Sequence, residues 1–189
     1  TDVLNATEAE QEDISRRWGV LFQQGALFSS MTVQENVETP MREMAHISAD
    51  LRPELARLKV AMSGLPADAC AKYPSELSGG MQKRAGLARA LALDPDIVFL
   101  DEPTAGLDPI GATEFDELIK QLKESLGLTV FMVTHDLDSL HAICDRVAVL
   151  AEKKVLVTGT MADMLKVDQP WVKEYFHGPR ARAALSTSE

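Results

Sequence analysis

The 189 residues carry 46% hydrophobic, 25% charged and 5% aromatic side chains, an ordinary globular balance with enough chain for one domain and a small insertion. A formal net charge of −10 argues against a nucleic-acid surface, because phosphate backbones are gripped by clustered Lys and Arg. Apolar runs such as Ile97, Val98, Phe99 and Leu100 are too short to cross a bilayer, and the polar, acidic opening residues do not read as a secretory signal.

Residues 6–17 are Glu-rich and read as an exposed helix, and residues 19–23 as a short strand with Val20, Leu21 and Phe22 in a row, ending on Gln23. Helical patterns follow over 33–45 and 53–62, with Pro53 suited to a first turn, before Gly64, Leu65 and Pro66 break them. Residues 27–75 therefore read as an all-helical insertion. Residues 80–93 form an Ala- and Leu-rich helix carrying Lys83, Arg84 and Arg89, stopped by Asp94 and Pro95.

The run 97–100 predicts a strand buried on both faces of a parallel sheet. Phe115, Leu118, Ile119, Leu122 and Leu126 recur at helical spacing, 129–133 predicts a second buried strand, and a helix is expected near 137–144. A strand at 147–150 and its return at 155–157 flank a turn at Lys153 and Lys154, and Met161, Met164 and Leu165 share one face of a last helical region. The small, polar residues 181–189 suggest an unordered tail. Cys70 and Cys144 lie far apart without metal-ligand spacing, as expected of free thiols in a reducing cytosol. Strands alternating with helices point to a right-handed α/β sheet, whose ligands bind at the carboxyl ends of the strands.

The residues with chemical potential fall at such ends. Asp101 and Glu102 follow a buried strand. Asp101 there can hold Mg²⁺ beside nucleotide phosphates, and Glu102 can orient and deprotonate an attacking water; alone, the pair fits a capped turn equally well. Leu77, Ser78, Gly79, Gly80, Met81 and Gln82 combine an N-cap serine with two glycines at a helix start, where backbone N–H groups and the helix dipole favour an anion. Alone, these residues are an ordinary turn before a helix. His135 after a strand, Gln23 at a strand end, and the turn Ala105, Gly106, Leu107 and Asp108 are each unremarkable singly.

Taken together, in this order and spacing, the five elements resemble the ABC ATPase family over nearly the whole chain. Residues 77–82 match its signature motif, with Met81 where Gln is more usual; Asp101 and Glu102 match its Walker B pair, Asp108 its D-loop, His135 its switch histidine and Gln23 its Q-loop glutamine. The resemblance implies a partial P-loop NTPase (RecA-like) parallel sheet from residues 1–26 and 94–160, an inserted helical signature subdomain over 27–93, and a C-terminal helical tail over 161–189. It implies ATP and Mg²⁺ as ligands. Asp101 and Gln23 would serve the metal, and Glu102 and His135 the catalysis. Ser78, Gly79, Gly80, Met81 and Asp108 would contact nucleotide or partner across a head-to-tail dimer. Integral membrane permease subunits would dock near Leu27, Phe28 and the helix from Val33, placing the protein in the cytoplasm at the inner face of a bacterial inner membrane.

A narrower resemblance, to the ATPases of MCE-type lipid transporters known for toluene tolerance and outer-membrane lipid asymmetry, is carried by two stretches. These are Phe22-Gln23-Gln24-Gly25-Ala26-Leu27-Phe28 and Tyr73-Pro74-Ser75-Glu76-Leu77-Ser78-Gly79-Gly80-Met81, with the ending Tyr175-Phe176-His177-Gly178-Pro179-Arg180.

One family element has no match. The Walker A loop, G-x-x-x-x-G-K-[ST], cradles the nucleotide phosphates, and in the family it lies some tens of residues before the Q-loop glutamine; only 22 residues precede Gln23. The expectation is a piece that begins inside the domain, inactive alone and prone to self-association through an exposed sheet edge. Two alternatives stand beside transport: a non-catalytic interaction module of the same fold, and an ABC-type ATPase of DNA maintenance, against which the lack of heptads counts.

Overall fold

Three parallel strands organise the first part of the chain: β1 (Trp18–Leu21), β2 (Ile97–Asp101) and β3 (Thr129–Val133), side by side in that order. Leu21 lies opposite Leu100 and Asp101 opposite Val133, so the strands end nearly level. The structure, a computed structural model, describes residues 3–45 and 47–177, and the chain divides after Val133 into two compact units.

In the first unit, helices form where the sequence patterns place them, for local reasons. α1 (Glu8–Arg16) is opened by a capping box between Thr7 and Glu10, and α2 (Val33–Glu43) by another between Thr32 and Glu35. α3 (Arg52–Met62) has Pro53 in its first turn, and α4 (Gly79–Ala90) starts from Ser78. α2, α3 and α4 pack on one another around Val33, Val37, Met41, Ala56, Val60 and Ala88, all fully buried. The buried ammonium of Lys59 pairs with Asp94, at the break after α4. α5 (Pro109–Leu126) buries Phe115, Ile119 and Leu122 along one stripe and ends at Gly127 in a left-handed cap.

α4 lies directly on β1, and two glycines set how closely. A Cβ on Gly19 would stand 2.3 Å from the carbonyl oxygen of Ala90. One on Gly86 would meet Leu21 Cδ1 at 2.8 Å and Gly25 Cα at 2.9 Å. At Gly19, strand backbone therefore meets helix backbone directly, and at Gly86 the helix takes the Leu21 side chain and the Gly25 backbone against its own.

The expectation that β2 and β3 are buried on both faces is corrected. Val98 and Leu100 are buried, but Ile97 and Phe99 on the opposite face are only half-buried, and β3 exposes Phe131 (57%) and Val133 (54%). That second face carries a ladder of rings, Trp18 on Phe99 at 5.5 Å and Phe99 on Phe131 at 5.6 Å between centroids. Apolar runs read alike whether one face or both are covered, so pattern alone could not separate the cases.

The second unit comprises α6 (Leu137–Ile143), the antiparallel hairpin β4 (Val147–Ala151) and β5 (Lys154–Gly159), α7 (Met161–Met164) and α8 (Pro170–His177). Its core gathers Leu140, Val147, Val149, Met164, Val172 and Phe176. The hairpin turns on Glu152 and Lys153, both left-handed (φ 52° and 61°), one residue before the expected Lys153–Lys154 pair. α8 begins at Pro170, within the stretch expected as a C-terminal helical tail, and is braced by Trp171 stacked on Tyr175, one turn apart. The expected tail over 181–189, and residues 178–180 of the MCE-like ending, lie outside the described residues. Neither Cys70 nor Cys144 is in a disulfide, and burial pushes the Cys70 thiol up from its ordinary range.

Replacing Gly19 with Ala forces α4 off β1. We expect Gly19→Ala to lower stability by about 1–3 kcal/mol, read as a lower urea midpoint at unchanged m-value.

Candidate functional site

The carboxyl ends of the first unit's strands bring several of the expected residues to one edge. Asp101 is the last residue of β2 and is exposed. Because β1 and β2 run in register, Gln23, two residues past the end of β1 and also exposed, leaves the sheet on this same edge. Glu102 turns sharply out of the strand, with a left-handed backbone (φ 46°) unusual for a residue other than glycine. Its N–H donates to the carbonyl of Val133 at 2.9 Å, and its own carbonyl accepts from the Ala105 N–H at 3.2 Å. Adjacent carboxylates thus follow different paths, Asp101 along the strand and Glu102 into the turn.

That turn delivers Asp108, which caps α5: its Oδ1 accepts from the Gly111 N–H at 3.0 Å, ahead of Pro109 in the first turn. Leu107 beside it lies against the signature segment, where a Cβ on Gly80 would stand 3.6 Å from Leu107 Cδ2.

The signature residues form the start of α4. Ser78 Oγ accepts from the Met81 N–H at 3.3 Å, while a Cβ on Gly79 would meet nothing within 4 Å. The backbone there is open to a large partner, and first-turn N–H groups at a helix start suit an anion. Met81 itself packs its side chain against the helical core. Gln82 Nε2 donates to the carbonyls of Pro74 (2.9 Å) and Leu77 (3.3 Å), tying the approach segment to the helix.

Three residues that the sequence reading left without a functional role hold this edge together. Lys83, buried in α4, extends its Nζ to the Glu102 carbonyl at 2.9 Å; burial pushes the ammonium down from its ordinary range, against the pull of the Glu102 and Asp101 carboxylates. Arg89 donates to the carbonyls of Ala26 (2.7 Å) and Gly25 (3.1 Å), with its guanidinium 5.7 Å from the centre of the Phe28 ring. Fully buried Asn36 accepts from the Phe28 N–H at 2.7 Å and donates to the carbonyls of Phe28, Met31 and Thr32. The available signal was a polar residue on an otherwise apolar helix face: Asn36 between Val33 and Val37, Lys83 before Gly86 and Leu87.

His135 belongs to the second unit, two residues beyond β3 in the chain. There its carbonyl accepts from the Tyr175 hydroxyl at 2.7 Å, a link from α8 that the sequence did not foreshadow.

The donors fit a hard cation. Among the described residues no cluster of three or more His, Cys, Asp or Glu side chains is assembled, so no all-protein cage exists. One exposed carboxylate and an amide oxygen at a sheet edge suit Mg²⁺, which takes one or two protein oxygens and completes its shell with phosphate and water. An open cleft lined by Arg17, Asp94, Asp96 and Thr129 lies at the opposite, amino-terminal edge, away from these groups.

A family model described as "ABC transporter" matches residues 2–105, and one described as "AAA domain, putative AbiEii toxin, Type IV TA system" matches residues 72–140. The chain is 40% identical over 177 residues to the "Intermembrane phospholipid transport system ATP-binding protein MlaF" of Haemophilus influenzae, covering 94% of this chain and 67% of that protein. The Escherichia coli K12 protein of that name is 39% identical, with 87% and 61% covered. The "Probable ribonucleotide transport ATP-binding protein mkl" of Mycobacterium bovis is 37% identical, with 95% and 50% covered. The chain thus spans between half and two thirds of the length of these relatives. Among solved structures, the dimeric ATP-binding cassette MJ0796, in a post-hydrolysis state bound to ADP and Pi, superposes with a TM-score of 0.73 at 33% identity, with 82% of this chain and 68% of that chain covered. cbiO1 from Clostridium perfringens, part of the ABC transporter complex cbiONQ, gives 0.75 at 27% identity, with 97% and 72% covered.

The Ser78 cap can be separated from any phosphate contact. Ser78→Ala is expected to lower stability by about 1 kcal/mol in urea denaturation, whereas Ser78→Asp, which keeps a capping oxygen, is expected to hold the wild-type midpoint.

Proposed function

This chain belongs to the ABC transporter ATP-binding family, and on that premise we propose that it forms part of an ATP-hydrolysing subunit that drives phospholipid transport. The observation that carries the reading is the level ending of β1 and β2, which sets Gln23, Asp101 and Glu102 on one edge in the same unit as the open start of α4. A sheet edge of that kind is where nucleotides bind in open α/β folds.

Each residue then has a distinct task. Asp101 and the Gln23 side chain would hold Mg²⁺, which when bound would supply positive charge to offset that of the nucleotide phosphates. The Glu102 carboxylate orients and deprotonates the attacking water, and His135 senses the γ-phosphate. Ser78, Gly79 and Gly80 reach the γ-phosphate of ATP held by a second subunit arranged head to tail, with Met81 completing the first turn of that helix and Asp108 at the dimer contact. ATP bound between the two halves favours the closed dimer by differential binding, a population shift that hydrolysis reverses.

Gln23 leads directly into the segment that Arg89 and Asn36 hold in shape, where Phe28 is 49% exposed. That segment is our candidate contact for an integral membrane permease. Among the described residues no helix is long and apolar enough to cross a membrane. By family likeness, attachment to the cytoplasmic face of the bacterial inner membrane is assigned to those permease subunits. The phosphate grip is assigned to a Walker A loop that these 189 residues do not carry. Phospholipid as cargo rests on the likeness to the MlaF proteins; the mycobacterial relative is named for ribonucleotides, so cargo is measured directly.

The test is steady-state hydrolysis by the gene product containing these residues, alone and reconstituted with its permease. Glu102→Gln is expected to lower kcat by about 100-fold or more with ATP binding retained, and to stop phospholipid movement in proteoliposomes. The 189 residues alone are expected to show negligible turnover; Glu102-dependent hydrolysis by them would overturn the assignment of the phosphate grip. Movement of ribonucleotides instead of lipid would replace the cargo.

A further inference from the structure

Lys83 is a cation in an unusual place. It stands on the buried side of α4, 6% exposed, and its Nζ leaves the helix to donate to the main-chain oxygen of Glu102 at 2.9 Å. Taken out of water at this depth, an ammonium is costly unless it is bonded.

The recipient is equally unusual. Glu102 has a φ of 46°, in the left-handed region that glycine occupies freely and a branched chain does not. It also precedes Pro103, whose ring crowds the residue before it and favours an extended backbone there. A conformation opposed on two counts persists only when its surroundings over-determine it. Bonds that do so include the N–H to Val133 on β3, the carbonyl from Ala105 in the following turn, and the same carbonyl from Lys83 on α4. The first continues the pairing of β2 with β3 and the second closes the turn, both main chain to main chain. The Lys83 bond comes from a side chain on α4 and is charge-assisted.

We propose that Lys83 is a positioning residue for Glu102, whose buried ammonium clamps the left-handed peptide and so aims the carboxylate at the attacking water. This rests on the functional reading above, in which Glu102 activates that water. Lys83 touches no reacting atom; it acts through the backbone of the residue that does. Because Lys83 sits one turn along the helix that begins with Ser78, Gly79 and Gly80, it also ties the aim of Glu102 to the helix carrying the partner-facing contacts.

The test uses the gene product containing these residues, with Lys83→Met, Lys83→Gln and Lys83→Arg. We expect Lys83→Met to lower kcat about tenfold or more with KM for MgATP within about twofold of wild type, the signature of an interaction that matters in the transition state. Lys83→Arg, which restores a buried donor, is expected to recover most of that loss, and Lys83→Gln serves if the Met variant does not fold. Wild-type kcat in a folded Met or Gln variant would overturn the proposal, as would equal losses in the Arg and Met variants. A crystal structure of the Met or Gln variant gives a readout that does not depend on hydrolysis: Glu102 is expected to leave the left-handed region, and a φ still near 46° would overturn the positioning role. Absence of hydrolysis in the wild type would count against the functional reading instead, with the structural arm still deciding the clamp.

Discussion

Helix α4 packs closely on strand β1, and the bonds that hold the loops at Gly25 and Glu102 depend on that contact. Gly19 and Gly86 remove the side chains that would otherwise hold helix and strand apart. At this separation the side chains of α4 that point past the strand reach the loops beyond it: Arg89 takes the carbonyls of Gly25 and Ala26, and Lys83 takes that of Glu102. A helix standing an ångström or two further off would lose all three bonds, since hydrogen bonds weaken steeply beyond about 3.2 Å. One close contact therefore sets the shape of two loops that are 77 residues apart in the chain, at Gly25 and Glu102.

The same helix presents its two ends to different tasks. Its amino terminus, with the Ser78 cap and open glycines, faces outward and suits an anion supplied from outside the unit. Its interior serves Glu102 and its later turns serve the segment after Gln23. The proposed function gives this arrangement a meaning: the groups proposed for water activation, metal binding and permease contact would be braced by the element proposed to address a second subunit. The ring ladder of Trp18, Phe99 and Phe131 on the less covered face of the sheet is a separate feature, and it shows that burial of this sheet is one-sided within the unit.

Much of the fold was legible because its signals are local. N-caps, apolar stripes and chain breaks act within three or four residues, so Ser78, and Asp94 with Pro95, mark element ends without help from the rest of the molecule. The hairpin was offset by one residue because Glu152 accepts a left-handed backbone that its side chain does not advertise. The bounds of α8 within the expected helical tail were not legible because Pro170, Trp171 and Tyr175 are weak helix formers, and the helix owes its stability to Val172 and Phe176 in the core of the second unit.

The sequence by itself determined which residues could do chemistry: the order and spacing of Gln23, the signature segment, Asp101, Glu102, Asp108 and His135 are properties of the chain, and they identify a family without coordinates. Tertiary structure alone decided how those residues are held. Whether a strand is covered on one face or two, which lysine is buried against which carbonyl, and that Glu102 occupies a left-handed corner are all set by contacts between distant segments. No local pattern encodes such contacts, because a side chain reads the same in the sequence whether it reaches solvent or a neighbouring backbone.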